Sequence, residues 1–187
     1  SKISFIRNHR LGANFRYGAI IFTGHTFMGL CSRAMSKIDE IYMSEALKEA
    51  KKAFVKDEVP VGCVIVHERR IIARAHNQTR MLNDPTAHAE MIAITEAASY
   101  LGSERLLDTI MYVTIEPCSM CAGALVLGRL RRLVYGARDP KTGACGSVVN
   151  IIDNGKLNHR LKVLSGVLEK ECSGLLSEFF KQKRTNN

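Results

Sequence analysis

No apolar run in this 187-residue sequence approaches the ~18–20 residues that a bilayer-crossing helix needs, which excludes a helical membrane span. No acidic side chain precedes Asp39, although Lys2, Arg7, Arg10, Arg16 and Arg33 all do. No internal repeat, low-complexity tract or linker follows Met35, so residues 35–187 read as one domain. What is present is a folded composition, 46% hydrophobic and 24% charged. The net charge is +9, and a basic surplus points first to nucleic acid and then to a membrane surface. Five of those nine charges sit in residues 1–34, however, so the domain itself carries only four.

That basic, Ser-containing leader has no helical or alternating period and admits three readings. It fits an organelle transit peptide. The stretch Tyr17–Leu30 before Ser32-Arg33-Ala34 imitates a secretory signal, though His25 and two Thr interrupt it. Alternatively, Met35 is the start and upstream sequence has been translated with it. The expected location is the cytoplasm, or an organelle if the leader is a transit peptide.

From Met35 the pattern becomes regular. Ile41, Ala46, Ala50 and Phe54 fall on helical spacing, which predicts a helix over 38–55. Residues 61–66 and 71–75 read as a hairpin around Glu68-Arg69-Arg70. Asp84-Pro85-Thr86 has the chemistry of a helix start, with the helix expected to run to about Ser99. A strand at 109–115, a helix after Pro117, a strand at 133–136, a short helix near 148–153, a strand at 161–168 and a helix at 169–184 complete the chain. This order predicts an α/β/α three-layer fold on a mixed, mostly parallel sheet of about five strands.

Six cysteines, at 31, 63, 118, 121, 145 and 172, do not make a disulfide framework, because a domain of this size builds its own core. Four read as small apolar residues. Cys118 and Cys121 stand apart in Pro117-Cys-Ser-Met-Cys121, where a helix start favours thiolates and a three-residue spacing lets both sulfurs reach one cation. Alone, that pair is equally a redox motif. His88-Ala89-Glu90, also at a Pro-marked helix start, adds one imidazole and one carboxylate. No second C-x-x-C or H-x-x-x-H supplies a fourth structural ligand, and Cys63 and Cys145 lack motif spacing. Three protein ligands with an open fourth position describe a catalytic zinc. Glu90, two residues from His88, then suits a general base for zinc-activated water better than a ligand. Each of these residues taken singly has an ordinary structural explanation; together they specify a site.

H-A-E followed by P-C-x-x-C is the motif of the zinc-dependent nucleoside and nucleobase deaminases. The resemblance covers roughly residues 38–184. Glu58–Gly62, Asn77, Asp84–Glu90, Tyr112–Cys118, Ala137–Asp139, Lys141–Ala144, Asn158–Arg160 and Phe179-Phe180 resemble the bacterial-type tRNA-specific adenosine deaminases, of cytidine deaminase-like fold. The resemblance implies Zn2+ on His88, Cys118 and Cys121, with Glu90 carrying protons between water, the purine and the departing ammonia. It implies Asn77 orienting the flipped nucleoside, the backbone around Ala89 at the base edge, an apolar wall of Val59 and Pro60, and Asp139 and Lys141 near the target nucleotide. The implied partner is the anticodon stem-loop of a tRNA, an arginine tRNA in this family, and the implied assembly is a homodimer. The nearly all-apolar helix Ser119–Leu130 is compatible with that assembly. Arg129, Arg131, Arg132, Arg138, Lys141, Lys181, Lys183 and Arg184 are candidates for a phosphate path. A sister deaminase of a free base or nucleotide (guanine or cytosine) is one alternative, and a non-catalytic zinc-stabilised RNA-binding module is another.

Overall fold

The computed structural model describes the backbone of residues 25–185 and the side chains of residues 37–185; the leader as far as Gly24, and residues 186 and 187, lie outside the described residues. The first helix, α1 (His25–Val55), begins thirteen residues before the expected 38, since no proline interrupts the chain between them. It leads into β1 (Gly62–His67) and β2 (Arg70–His76). Glu68 and Arg69, with φ of 48° and 64°, form the hairpin turn in left-handed backbone, where glycine or asparagine is usual. The Tyr42 hydroxyl donates to the Arg69 carbonyl at 2.7 Å and pins that turn to α1.

Then follow α2 (Ala89–Leu101), β3 (Ile110–Ile115), α3 (Ser119–Leu127), β4 (Arg132–Ala137), β5 (Lys162–Ser165) and α4 (Glu169–Thr185). The sheet order is β2-β1-β3-β4-β5. Strand β1 runs antiparallel to both neighbours, while β3, β4 and β5 are parallel, so four of the five strands point the same way. The expected mixed, mostly parallel sheet is therefore the observed one.

Side-chain alternation along the strands divides the core into two layers. Cys63, Ile65, Met111, Val113, Leu133 and Tyr135 face α2 and α3. Val64, Val66, Tyr112 and Val134 face the other way, against Met43, Ala46 and Leu47 of α1 and Cys172 of α4. The start of β1 lies so close to α1 that a Cβ on Gly62 would sit 2.1 Å from the Ala46 carbonyl oxygen.

Four expectations need correction. Asp84-Pro85-Thr86 does not open α2: the Asp84 carboxylate accepts the Thr86 N–H at 2.7 Å, closing a turn, and the helix starts five residues later. No helix forms at 148–153. Its backbone bonds back onto Gly143 and Ala144 instead of four residues along, and Gly146 holds a φ of 133°. The strand expected over 161–168 is shortened to Lys162–Ser165, ending where Gly166 turns with a φ of 84°. Phe179 and Phe180 continue the helical spacing of Cys172, Leu175 and Leu176, which predicts both as core; Phe179 is core, edge-on to Phe54, but Phe180 beside it is 48% exposed. No helix among the described residues is long and apolar enough to cross a membrane.

Candidate active site

The starts of β1, α2 and α3 and the ends of β2, β3 and β4 meet at one edge of the sheet. In an open α/β sheet, this carboxyl edge of the parallel strands is where ligands bind. His88 is the residue before α2, with φ −72° and ψ 152°; Cys118 is the residue before α3, with φ −72° and ψ 176°. An extended capping residue turns its side chain back over the first helical turn, towards the third helical position. Cys121 occupies that position in α3. Two capping residues and one first-turn residue thereby converge.

The Nδ1 of His88 lies 3.7 Å from Cys118 Sγ and 3.6 Å from Cys121 Sγ. The three donor atoms fall within 4.8 Å of one another. Tetrahedral zinc, with bonds of ~2.3 Å to sulfur and ~2.0–2.1 Å to nitrogen, sets sulfur and nitrogen about 3.6 Å apart. The donor set thus fits zinc in both atom type and spacing. The Cys118 thiol is pulled down to about 4 by hydrogen bonds from Cys121 and His88. Its sulfur in turn raises His88, against the opposing effect of burial. Cys121 is pushed up, because it shares its proton with Cys118 and is buried. A cation bound among these three atoms would take the place of the protons they share.

Glu90, in the first turn of α2, is 2% exposed, and burial pushes its carboxyl above the ordinary carboxylate range. It lines a cavity of about 220 Å3 with His88, Cys118, Asn77, Val59 and Asp139. Asn77 is buried at the end of β2, and its Oδ1 accepts the Ala89 N–H at 2.8 Å in the interior. This fixes the carboxamide with its Nδ2 as the donor left for a ligand. Ala89 therefore has its N–H engaged by Asn77 rather than offered to a base edge.

The remaining expected residues separate. Val59 lines the cavity; Pro60 is buried but not part of the lining, and Val61 takes its place in the apolar wall with Ile115. Asp139 reaches the cavity, but its carboxylate is also the cap of its own loop, accepting the Lys141 N–H at 2.9 Å and the Thr142 N–H at 3.2 Å. Hydrogen bonds from Thr142 and Lys141 outweigh burial and lower its carboxyl. Lys141 points away and shares a separate depression with Phe180, Lys183 and Arg184. Arg131 and Arg132 leave the expected phosphate path altogether. They line a cavity of about 350 Å3 where β3 and β4 begin, at the opposite edge of the sheet, with Arg132 pairing to buried Asp39 at 2.8 Å.

Two buried carboxylates that lie in the resembling segments, but to which the sequence assigned no role, hold the cavity walls. Glu58 accepts the Arg80 N–H at 2.9 Å, the Met81 N–H at 2.7 Å and the Thr79 hydroxyl at 3.1 Å, and Thr79 lines the cavity. Glu116 accepts the Cys145 and Ser147 N–H groups, each at 3.0 Å, the Asp139 N–H at 3.2 Å and the Ser147 hydroxyl. Burial acts to raise both, yet both are lowered by these bonds. Against Glu116 packs Gly143, where a Cβ would meet the carboxyl carbon at 2.6 Å. The other cysteines with described side chains, Cys63, Cys145 and Cys172, are buried, and burial raises all three thiols.

Residues 37–184 match the family model described as MafB19-like deaminase. The tRNA-specific adenosine deaminase of Bacillus subtilis (strain 168) is 53% identical over 146 residues, which cover 78% of this chain and 91% of that protein. A structure solved in work on A-to-I editing by tRNA:A34 deaminases at the wobble position of transfer RNA superposes with a TM-score of 0.70 at 49% identity. It covers 72% of this chain and 98% of its own. A guanine deaminase from Nitrosomonas europaea shares the architecture at a TM-score of 0.65 and 25% identity, over 75% of this chain and 83% of that one.

Proposed function

The chain belongs to the tRNA-specific adenosine deaminase family, and from that premise we propose that it converts the wobble adenosine of a tRNA anticodon, an arginine tRNA's, to inosine. The observation that carries the mechanism is the shared cavity: Glu90, His88, Cys118 and Asn77 line one small space, and buried Cys121 completes the donor set within 4.8 Å of His88 and Cys118. His88, Cys118 and Cys121 would hold zinc, which supplies a Lewis acid that brings the pKa of water towards ~7. Asn77, anchored through Oδ1 on the Ala89 N–H, directs Nδ2 at the nucleoside and fixes its orientation. Val59, Val61 and Ile115 exclude solvent from the ring. Water adds through oxygen to C6, and the Glu90 carboxylate takes up the proton it sheds and passes it to N1 of the purine. Glu90 next takes the proton of the new C6 hydroxyl and delivers it to the exocyclic nitrogen, the C6–N6 bond breaks, ammonia leaves and the C6 carbonyl of inosine forms. A desolvated carboxylate of raised pKa suits both halves of that transfer.

The substrate class rests on 53% identity with a tRNA-specific relative, against 25% with a guanine deaminase of the same fold. An anticodon loop suits this cavity, because unstacking a base is cheapest in a single-stranded loop. The enzyme works where its tRNA is, in the cytoplasm, as a homodimer. The outward side of α3, where Leu127 is 76% exposed, supports that assembly. Residues 1–34 lie outside the deaminase domain, which spans 35–187.

The test is zinc-loaded protein incubated with an arginine-tRNA anticodon stem-loop carrying adenosine at the wobble position. Inosine is expected there, and Glu90→Ala should abolish it while zinc content stays at one per chain. Ammonia release from free guanine without inosine in the stem-loop would overturn the substrate. Full activity in Glu90→Ala would overturn the mechanism.

A further inference from the structure

Asp57 occupies a place that its own chemistry disfavours. It follows the end of α1, where the Glu58 N–H bonds to the Ala53 carbonyl at 3.0 Å and the Asp57 N–H to the Phe54 carbonyl at 3.1 Å. Those two bonds define a Schellman C-terminus with Asp57 at the left-handed position, and its φ is 62°. Glycine or asparagine is usual there, and an acid at the negative end of a helix is unfavourable on electrostatic grounds. The side chain nonetheless bridges two cations from distant elements. Its Oδ2 pairs with Arg80 in the loop after β2, and its Oδ1 with Lys183 in the last turn of α4. Arg80 also donates to the Asp57 carbonyl at 2.8 Å. The Lys183 ammonium sits 5.6 Å above the Phe179 ring, which fixes its stem against the core.

These three groups adjoin segments that line the catalytic cavity. Arg80 follows Thr79, and Asp57 precedes Val59 by two residues; Thr79 and Val59 both line the cavity. Lys183 shares its depression with Lys141, whose loop supplies Asp139 and Thr142 to the same cavity. All three partners remain open to solvent, with Asp57 54%, Arg80 62% and Lys183 38% exposed. The Asp57 carboxylate thus carries the charge, and holds the two accessible cations, that a phosphate would need in order to bind at this place.

We propose that Asp57 is a phosphate stand-in: its carboxylate occupies Arg80 and Lys183, and RNA must displace it from them to bind. This rests on the tRNA reading above. Asp57 thereby keeps RNA binding weak and less dependent on salt, without touching the reacting atoms.

Asp57→Asn is the informative substitution, since asparagine tolerates left-handed backbone and only the charge is removed. Two RNAs are compared by fluorescence anisotropy over a range of KCl: the anticodon stem-loop, and an unstructured RNA of equal length that lacks adenosine. Removing the competing carboxylate adds the net release of about one counterion and steepens the log K against log salt slope by ~0.7 for single strands; with equal binding at 1 M salt as reference, that is about eightfold tighter binding at 0.05 M and about fourfold at 0.15 M. Asp57→Asn should show that gain with both RNAs, with a lower KM and unchanged kcat on the stem-loop. In an Arg80→Ala background the gain should shrink. Equal or weaker binding with an unchanged slope overturns the proposal, and so does a full gain in the Arg80→Ala background. Because binding is read apart from turnover, an intact gain without any inosine upholds Asp57's role and counts only against the deamination reading.

Discussion

Glu58→Gln separates the charge of a wall-building carboxylate from its shape. In the native chain, Glu58 is 1% exposed, and one of its oxygens accepts two backbone N–H groups, from Arg80 at 2.9 Å and Met81 at 2.7 Å. The other accepts the Thr79 hydroxyl at 3.1 Å. Glutamine keeps one oxygen for the two N–H groups and turns its amide to the hydroxyl, which can rotate to accept. The loss is therefore that of charge assistance on two hydrogen bonds. A bond to a charged group contributes ~1.5–3 kcal/mol against ~0.5–1.5 for a neutral one, so the substitution should cost about 2 kcal/mol. For a chain of this length that is a fall in Tm of roughly 4–8 °C. The pH dependence has a definite sign. Hydrogen bonding lowers the folded-state pKa of Glu58 despite the opposing burial. A carboxyl depressed on folding stabilises above its unfolded pKa of ~4.3, and that contribution is lost as pH falls through the folded value. Thermal unfolding of the two proteins at stepped pH should show the native advantage at pH 7 narrowing steadily below about pH 4.3. A difference that is absent at pH 7, or that persists unchanged at low pH, would refute the assignment of loop order to this charge.

Gly62→Ala should be among the more damaging single methyl additions, because the new Cβ meets backbone atoms of α1, Ala46 O at 2.1 Å and Ala50 N at 2.3 Å, which cannot rotate away. A cost at or above the upper end of the usual ~1–3 kcal/mol for overpacking is expected, read as a Tm drop of about 6 °C or more; a shift within error would show that α1 yields freely. Asn77→Ala removes both the acceptor of the buried Ala89 N–H and the amide aimed into the cavity. Turnover of the stem-loop should fall about tenfold or more in kcat/KM, the equivalent of ~1.4 kcal/mol, with zinc content unchanged; normal kinetics would remove Asn77 from the site.

The parts of this protein legible in its sequence are those that a local pattern determines. Short apolar runs between turns located the five strands, and the two Pro-marked turns placed His88 and Cys118 at helix starts. Pattern failed where one particular hydrogen-bond partner decides. The Asp84 carboxylate satisfies the Thr86 N–H within its turn, so the capping chemistry that pointed to a helix start closes a loop instead, and His88 takes the capping position. The segment 148–153 is β-branched residues with Asn150 and Asp153, all weak helix formers, and its N–H groups find acceptors on Gly143 and Ala144. Arg131 and Arg132 counted as candidate phosphate contacts by charge alone, and Asp39, 93 residues away from Arg132 in the chain, claims the latter's guanidinium.

Glu58 and Glu116 illustrate the same point at the cavity itself. The metal donors and Glu90 ride on helix starts and so inherit their positions from regular structure. The rest of the cavity is made by irregular chain, residues 77–84 on one side and 138–147 on the other, which has no ladder to hold it. Each of these segments turns backbone N–H groups inward, where an unsatisfied donor costs ~1–3 kcal/mol. One buried carboxylate per segment meets that demand: Glu58 for Arg80 and Met81, Glu116 for Asp139, Cys145 and Ser147. Both carboxylates adjoin fixed elements, Glu58 just beyond the end of α1 and Glu116 just beyond the end of β3. Each therefore transmits the rigidity of the core to a loop that would otherwise choose its own shape. The walls around Asn77, Thr79 and Asp139 are then as well defined as the helix starts that carry the donors, and the cavity can select its substrate by shape as well as by charge.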